Sequence, residues 1–517
     1  MLSVINSLFK SYIGRYRSEL ELYFQRPIEL QEHTLRTILK ANQRTVFGQQ
    51  YGFSSILQHR DVDVFSQRVP IHTYEQLLPY IERVLKGEQQ VLTKEQPEWV
   101  ATTSGTTGAT KYIPLPSVAI RDSYRKGSWL SLACLYNRKP DITVFSSKNL
   151  LVGGSIKGLY PGIEVPYGDI SAIMIRTIPR FMQPFYIPDV ELATSTNYEE
   201  KIEKIAQLAA KEKSMTVLGG VPTWNLPLFN RILEIHGGDT MLDVWPDAQA
   251  FKHGGVKFDP YRSQFEALFP RKDFVFQEIY NATEGFFAVQ DRGDLSSMLL
   301  LLTNGIYYEF VRWEDYQNAS INGPWSEERD FKVASLAEVS KDEVYVMLIT
   351  TNAGLYRYPM GDLIQFTDLF PFRIKILGRT QEFINAFGED LLRAEAEDAL
   401  QSACEKHGVT VMDFTVAPKY TELGVSGRHE WFVEFSQPPQ QLDVFIEDLD
   451  LALQGRNYNY GAKRLNDFGM QRLELHPVPT GFFKDWLKSR GKLGGQHKVP
   501  RLANHRKIAE EILVSLA

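Results

Sequence analysis

The stretch Thr102-Thr103-Ser104-Gly105-Thr106-Thr107-Gly108-Ala109-Thr110-Lys111 decides how the rest of the chain is read. Of the nine residues ahead of Lys111, six carry hydroxyls, two are glycine and one is alanine. Glycine lets backbone N–H groups turn toward one point, and each Ser or Thr adds a donor. Lys111 closes the run with a point charge. The composition suits a polyphosphate; the plain alternative is a solvated Ser/Thr/Gly connection. A Walker loop is excluded, because its Gly-x-x-x-x-Gly-Lys-Ser/Thr spacing is replaced by Gly105-x-x-Gly108-x-x-Lys111, followed by Tyr112.

Working outward, a strand at about 97–101 delivers the chain to this loop and a helix over 117–136 follows it. Upstream, residues 1 to about 60 read as helical, with Leu2, Ile5, Leu8, Phe9 and Tyr12 on one face, and a further helix covers 74–86. Downstream, 143–146 and 150–154 read as strands, 198–213 as an amphipathic helix, and Met215–Leu218 as a strand closed by Gly219-Gly220. Strands also fall at 344–350 and 373–377. This alternation predicts α/β layers around a mostly parallel sheet. After Gly378-Arg379 the pattern changes to helix 389–405, strands near 409–417 and 430–435, and helix 440–453. The expected fold is therefore α/β, with a large N-terminal domain of layered β-sheets and helices over 1–380. A smaller α+β C-terminal domain covers 381–517.

The chain has 517 residues, enough for more than one core. Its net charge of −6 argues against nucleic acid or an anionic membrane as the main partner. Cys134 and Cys404 are too far apart for metal-ligand spacing and fit a reducing compartment. Lys10, Arg15 and Arg17 break any apolar core for a signal sequence, and no run approaches about 18 apolar residues. A cytoplasmic location is expected.

Four further stretches carry chemistry. In Tyr280-Asn281-Ala282-Thr283-Glu284-Gly285, Glu284 suits Mg²⁺, Thr283 a phosphoryl oxygen and Tyr280 a stacked base; a core tyrosine before a turn is the plain alternative. In Tyr356-Arg357-Tyr358-Pro359-Met360-Gly361-Asp362, a carboxylate behind a glycine suits two vicinal hydroxyls of a ribose, or simply a turn. Gly378-Arg379 at the domain boundary and Gln496-His497-Lys498-Val499-Pro500-Arg501 near the end complete the series.

Taken in order, these motifs resemble the adenylate-forming superfamily of acyl-CoA synthetases, luciferases and peptide-synthetase adenylation domains. Within it the chain is most similar to the Gretchen Hagen family of acyl-acid amido synthetases, first known as auxin-responsive plant proteins. Thr45-Val46-Phe47-Gly48, Tyr51-Gly52-Phe53, Val69–Glu75 and the ending His497–Arg501 extend the resemblance over nearly the whole chain. The resemblance implies ATP and Mg²⁺ as cofactors. Thr103, Ser104, Thr106, Thr107 and Lys111 would meet the ATP phosphates, and Tyr280 would flank the adenine, with Gly254-Gly255 as a second wall. Thr283 would contact the α-phosphate, Glu284 the Mg²⁺, and Asp362 the ribose with Arg379 nearby. Lys498 would be the mobile lysine of adenylation. Arg121, Tyr124 and Arg125 would line the acyl pocket, with Val221 and Trp224, in Val221-Pro222-Thr223-Trp224, as another wall. Two positions depart from the superfamily pattern: Thr110 stands where proline usually precedes the loop lysine, and Gln381 where the hinge carries Asp or Lys.

The implied partners are a small carboxylic acid and an amine, expected to be an amino acid, with no nucleic acid or membrane. The reaction adenylates the acid to acyl-AMP and pyrophosphate, then passes the acyl group to the amine and releases AMP. The alternatives are transfer to coenzyme A or a carrier thiol, and a nucleotide-binding regulatory protein that has lost its chemistry.

Overall fold

A computed structural model describes the chain outside Met1, 60–62, 104–109, 256–257, 294–296, 319–330, Gln381, Asn385, Gly388, Asp390, 421–426, 465–469, 491–498 and Ala517. It divides into two compact units, one of residues 1–360 and 365–375, the other of 361–364 and 376–517.

The first unit opens with helix Leu2–Gln25, which buries Ile13, Tyr16, Leu20 and Tyr23 and packs against helix Lys126–Arg138, where Tyr16 meets Trp129. These positions repeat at helical spacing, whereas Leu8 and Tyr12, expected on the apolar face, stay exposed. Tyr12 still reaches the partner helix, with its ring 5.5 Å from that of Trp129. Helix Tyr74–Leu85 starts where Gln76 Oε1 accepts from Thr73 N at 2.8 Å, closing one half of a capping box.

Strands β1 (Pro97–Thr103), β2 (Lys111–Pro116), β3 (Lys148–Leu151), β4 (Ile156–Leu159) and β5 (Pro166–Asp169) come next. They are followed by β6 (Tyr186–Ile187), β7 (Met215–Gly220), β8 (Ala250–Gly254), β9 (Val275–Ala282) and β10 (Gly285–Val289). The set continues through β11 (Met298–Leu300), β12 (Ile306–Arg312), β13 (Ala334–Ser335), β14 (Val344–Thr351), β15 (Tyr358–Leu369) and β16 (Phe372–Arg379). A four-stranded sheet runs β2-β1-β5-β4, and a twelve-stranded sheet runs β13-β12-β14-β15-β16-β11-β10-β9-β8-β7-β3-β6.

The large sheet is mixed, which corrects the expectation of a mostly parallel one. Its parallel block is β6-β3-β7-β8-β9; beyond it, β9, β10, β11 and β16 pair antiparallel, as do β13, β12 and β14. Parallel neighbours need long crossovers, and helices Tyr198–Ala209 and Pro222–His236 supply these only in the first half. Phe229 in the second of those helices lies 5.5–6.2 Å from the rings of Trp245, Phe251, Phe265 and Phe269. Fully burying such a side chain contributes about 1.5–3 kcal/mol.

Residues 143–146, expected as a strand, form turns. Thr143 N donates to Gln249 Oε1 and Asn149 Nδ2 to the Val144 carbonyl, so side chains satisfy backbone groups a ladder would have used. Of the expected strand 150–154, only residues up to Leu151 pair, within β3.

The second unit holds the hairpin pair β17 (Phe383–Ile384) and β18 (Leu391–Leu392). Its sheet comprises β19 (Val411–Lys419), β20 (Arg428–Phe435) and β21 (Glu474–Val478), ordered β19-β20-β21. Along β20, Trp431, Val433 and Phe435 join helices Arg393–His407 and Leu442–Arg456 in one core. Phe432, pointing the other way, joins Phe483, Trp486 and Ile508 in another. Among the described residues, no helix is long and apolar enough to cross a membrane.

Candidate functional site

The site is built outward from the end of β1. Thr103 is the last residue of that strand, and its antiparallel partner is Lys111, the first residue of β2. A pair at the loop end of a hairpin puts a hydroxyl and a cation on one side of the connection they flank. Ser104, Thr106 and Thr107, expected to meet phosphate, lie outside the described residues. Lys111 Nζ sits 5.1 Å from the centroid of the Tyr74 ring, a cation–π distance. The Tyr74 hydroxyl accepts from Tyr112 N at 2.9 Å, fixing that ring against β2. The adjacent Glu75 carboxyl is held below its ordinary range, chiefly by its own backbone N–H, with Lys111 adding a smaller pull.

Thr283 and Glu284 form the turn between β9 and β10. Thr283 is buried, and its hydroxyl donates to the Thr102 carbonyl at 3.4 Å. The hairpin turn and the end of β1, 181 positions apart, are thereby joined. Tyr124, on the π-helical turn Ile120–Arg125, donates its hydroxyl to the Thr283 carbonyl at 2.6 Å. Burial first, and the Glu284 carboxylate second, push the Tyr124 phenol well above its ordinary range. Glu284 thus puts negative potential at a half-buried turn lined by hydroxyl and carbonyl oxygens. Hard oxygen donors of this kind fit Mg²⁺.

Arg125 Nη2 donates to the Thr177 carbonyl at 3.3 Å, while its buried Nε has no hydrogen-bond partner among the described residues. Arg121, by contrast, is exposed and paired with Asp122 at 2.7 Å, so its neighbour engages the charge. Val221 and Trp224 are half-buried at the start of helix Pro222–His236, directly after Gly219-Gly220 at the end of β7. Tyr280 lies mostly buried in β9, with its ring 4.8 Å from that of Phe287. A Cβ at Gly254 would stand 2.4 Å from the Ile279 carbonyl oxygen, and Gly255 has φ +82°. Both positions therefore require glycine where β8 ends against β9.

In the second unit, Arg379 Nε donates to Asp362 Oδ1 at 3.0 Å. The ribose and arginine candidates are therefore neighbours. Lys498 and Gln381 lie outside the described residues.

Reading by motif passed over Asp169, Lys157 and Lys201, which stand behind Thr102. A signal was present: Tyr167-Gly168-Asp169 ends a strand and starts a helix, opposite the glycine pair Gly153-Gly154.

Comparison with known proteins follows the same outline. The GH3 family N-terminal domain matches residues 16–201 and 163–274, the central domain 299–379, and the C-terminal domain 394–507. Indole-3-acetic acid-amido synthetase GH3.3 of Arabidopsis thaliana is 21% identical, over 93% of this chain and 90% of its own length. Jasmonoyl-L-amino acid synthetase GH3.5 of Oryza sativa subsp. japonica is 24% identical, over 94% of each. Among solved structures, AtGH3.15 acyl acid amido synthetase in complex with 2,4-DB superimposes with TM-score 0.78 at 18% identity, covering 98% of this chain and 96% of that one. A 2-hydroxyisobutyryl-CoA ligase in the postadenylation state matches with TM-score 0.58 at 11% identity, over 95% and 92%. These likenesses show the fold, and the domain matches, which together span most of the sequence, show that the chain belongs to the GH3 family.

Proposed function

We propose that this chain is an ATP-dependent acyl-acid amido synthetase that adenylates a small carboxylic acid and passes the acyl group to an amino acid. The observation that carries the reading is the meeting at Thr283. Its hydroxyl reaches the strand that leads into the hydroxyl-rich loop, and its carbonyl holds Tyr124 on the helix behind that loop. Phosphate-side and acid-side candidates thus share one turn.

A free carboxylate is a poor acyl donor because its leaving group would be oxide. In the first step a carboxylate oxygen attacks the α-phosphorus of ATP, the bond to the bridging β-phosphate oxygen breaks, and pyrophosphate leaves. Negative charge gathers in that transition state. Thr103, Ser104, Thr106, Thr107 and Lys111 grip the phosphates, Thr283 orients the α-phosphoryl oxygen, and Lys498 offsets charge on the α-phosphate and carboxylate. Glu284 is the residue to hold Mg²⁺, whose bound charge would supply further electrostatic stabilisation. Tyr280 and Gly255 flank the base, and Asp362 with Arg379 meets the ribose. Tyr124, Arg125, Val221 and Trp224 line the acid, whereas Arg121 joins them only if it leaves Asp122. In the second step the amine attacks the acyl carbon, AMP departs with the bonding pair, and the amine loses a proton. Residues 1–380 hold ATP and the acid in this reading, and 381–517 carry Lys498.

The test is carboxylate-dependent exchange of labelled pyrophosphate into ATP by the purified protein, followed by product analysis with amino acids or coenzyme A. Amide and AMP without thioester are expected. Thioester would move the chain to the ligase alternative, and absence of exchange would reject adenylation.

A further inference from the structure

The reading above leaves unused a buried carboxylate that touches the start of the hydroxyl-rich stretch. Asp169 closes β5, starts helix Ile170–Arg176, and is 6% exposed. A buried carboxylate requires partners, since burial without them strongly disfavours its charged form. Its Oδ2 accepts from Ser155 N at 2.9 Å, and Asp169 N donates to the Ser155 carbonyl at 2.9 Å. Its Oδ1 accepts from the Thr102 hydroxyl at 3.3 Å across the parallel β1–β5 register.

Two lysines frame this contact. Lys157 Nζ, on β4, stands 3.4 Å from Thr102 Oγ1 and 4.0 Å from Asp169 Oδ1. Lys201 is 1% exposed and donates to the Gly153 and Gly154 carbonyls at 3.0 and 2.9 Å, clasping the loop that presents Ser155 N. Burial lowers the Lys201 ammonium to about 8, and the nearby Asp169 carboxylate opposes that shift. A Cβ at Gly154 would fall 2.4 Å from Asp169 Oδ2, so only glycine lets the loop close on the carboxylate.

Thr102 is therefore held at both of its polar ends. Asp169 accepts from its hydroxyl and Thr283 donates to its carbonyl. The residue between these contacts is the one that leads directly to Thr103. We propose that Asp169 is a positioning residue for the nucleoside triphosphate, orienting Thr102 so that Thr103 addresses the phosphate chain. The inference rests on the functional reading above and names a residue that reading does not use.

The test compares Asp169→Asn, Thr102→Val and their combination, with Thr102→Ser as the variant that keeps the hydroxyl. MgATP affinity is measured by isothermal titration calorimetry. KM for ATP and for the acid is measured by pyrophosphate exchange, and folding by thermal unfolding. Each single change should weaken MgATP binding about tenfold, as loss of a hydrogen bond to a charged group would. The acid KM should stay within about twofold, since the effect belongs to the phosphate side. The double variant should be no weaker than the weaker single, because both changes remove one contact. Thr102→Ser should bind like the unaltered protein. Unchanged ATP affinity, equal shifts for ATP and acid, multiplying effects, or failure of Thr102→Ser to restore binding would each overturn the role. If Asp169→Asn does not fold, the two Thr102 variants decide the question alone. If the unaltered protein binds MgATP yet shows no exchange, the functional reading fails while the titrations still judge the positioning role. If it does not bind MgATP, both fail.

Discussion

Two arginine–carboxylate pairs issue from the same short motif and are physically unlike. Arg357, in the first unit, is 1% exposed and meets Glu309, 5% exposed, at 2.9 Å. Asp362, in the second unit, is 13% exposed and meets Arg379, 39% exposed, at 3.0 Å. Arg357 also donates to the Ser66 and Val69 carbonyls at 2.8 and 2.7 Å, using its donors on the fold itself. It does so with φ +49°, an uncommon backbone region for a side-chain-bearing residue, which costs roughly 1 kcal/mol. Its neighbour Tyr356 donates to the Leu92 carbonyl at 2.7 Å and stacks on Phe47 at 4.4 Å. The first part of the motif is a staple between β12 and the chain near 66–72. The second is a half-buried pair whose arginine reaches solvent. Residue type is shared; burial separates the roles.

The comparison breaks most visibly at the staple. Arg357→Ala should destabilise the protein by about 3–5 kcal/mol, because it leaves Glu309 charged and buried without its partner. Urea unfolding would show this as a lower midpoint. Arg357→Lys should restore little, since an ammonium lacks the planar fork. A loss below about 1 kcal/mol would mean that the pair is not a staple.

Acid probes the same region through His72, whose N–H donates to the Arg357 carbonyl at 3.3 Å. Burial lowers the His72 imidazole to about 4 from an ordinary 6.5. The unfolded chain therefore binds the extra proton first, and stability should fall as pH drops from about 6.5 toward 4. The loss attributable to this residue reaches about 3 kcal/mol at the lower end. His72→Gln should flatten that limb of a stability–pH curve, and an unchanged limb would assign the acid loss elsewhere.

At the half-buried pair the effect should appear in binding. Asp362→Ala should weaken MgATP by roughly 1.5–3 kcal/mol in calorimetry, the range for hydrogen bonds to a charged group. Its stability change should stay well below that of Arg357→Ala, because the Arg379 left behind reaches solvent. ATP affinity that survived intact would remove Asp362 from the ribose role. The smallest effect belongs to Arg379→Ala, which should shift the unfolding midpoint by only about 0.5 kcal/mol. A larger shift would show that this pair, too, is a staple.

The same contrast explains what could be read in advance. The helix of residues 198–213 was legible because Ile202, Ile205, Ala206 and Ala209 recur at helical spacing, and the structure ends it at Ala209. The Thr/Ser/Gly stretch and the Thr283-Glu284 turn were legible because their residue types are chemical in themselves. Arg121 and Tyr124, equally plausible on one helix, separated only in the fold. One pairs with the adjacent Asp122 at the surface, while the other is buried on Thr283. Asp169 was passed over because its partners Thr102, Ser155 and Lys157 come from β1, the loop before β4 and β4 itself.

By itself, the sequence determined the kinds of group available and their order: hydroxyls and a lysine, then a threonine and a carboxylate, then a glycine and an aspartate. It also determined the periodicities that make helices and strands. Only the tertiary structure decided that the large sheet is half antiparallel, that Arg357 is sealed while Arg379 reaches solvent, and that the start of the Thr102–Lys111 stretch is held by Thr283 and Asp169. The physical reason is that residue type and spacing are local, whereas burial and hydrogen-bond partnership depend on which distant segments share a sheet.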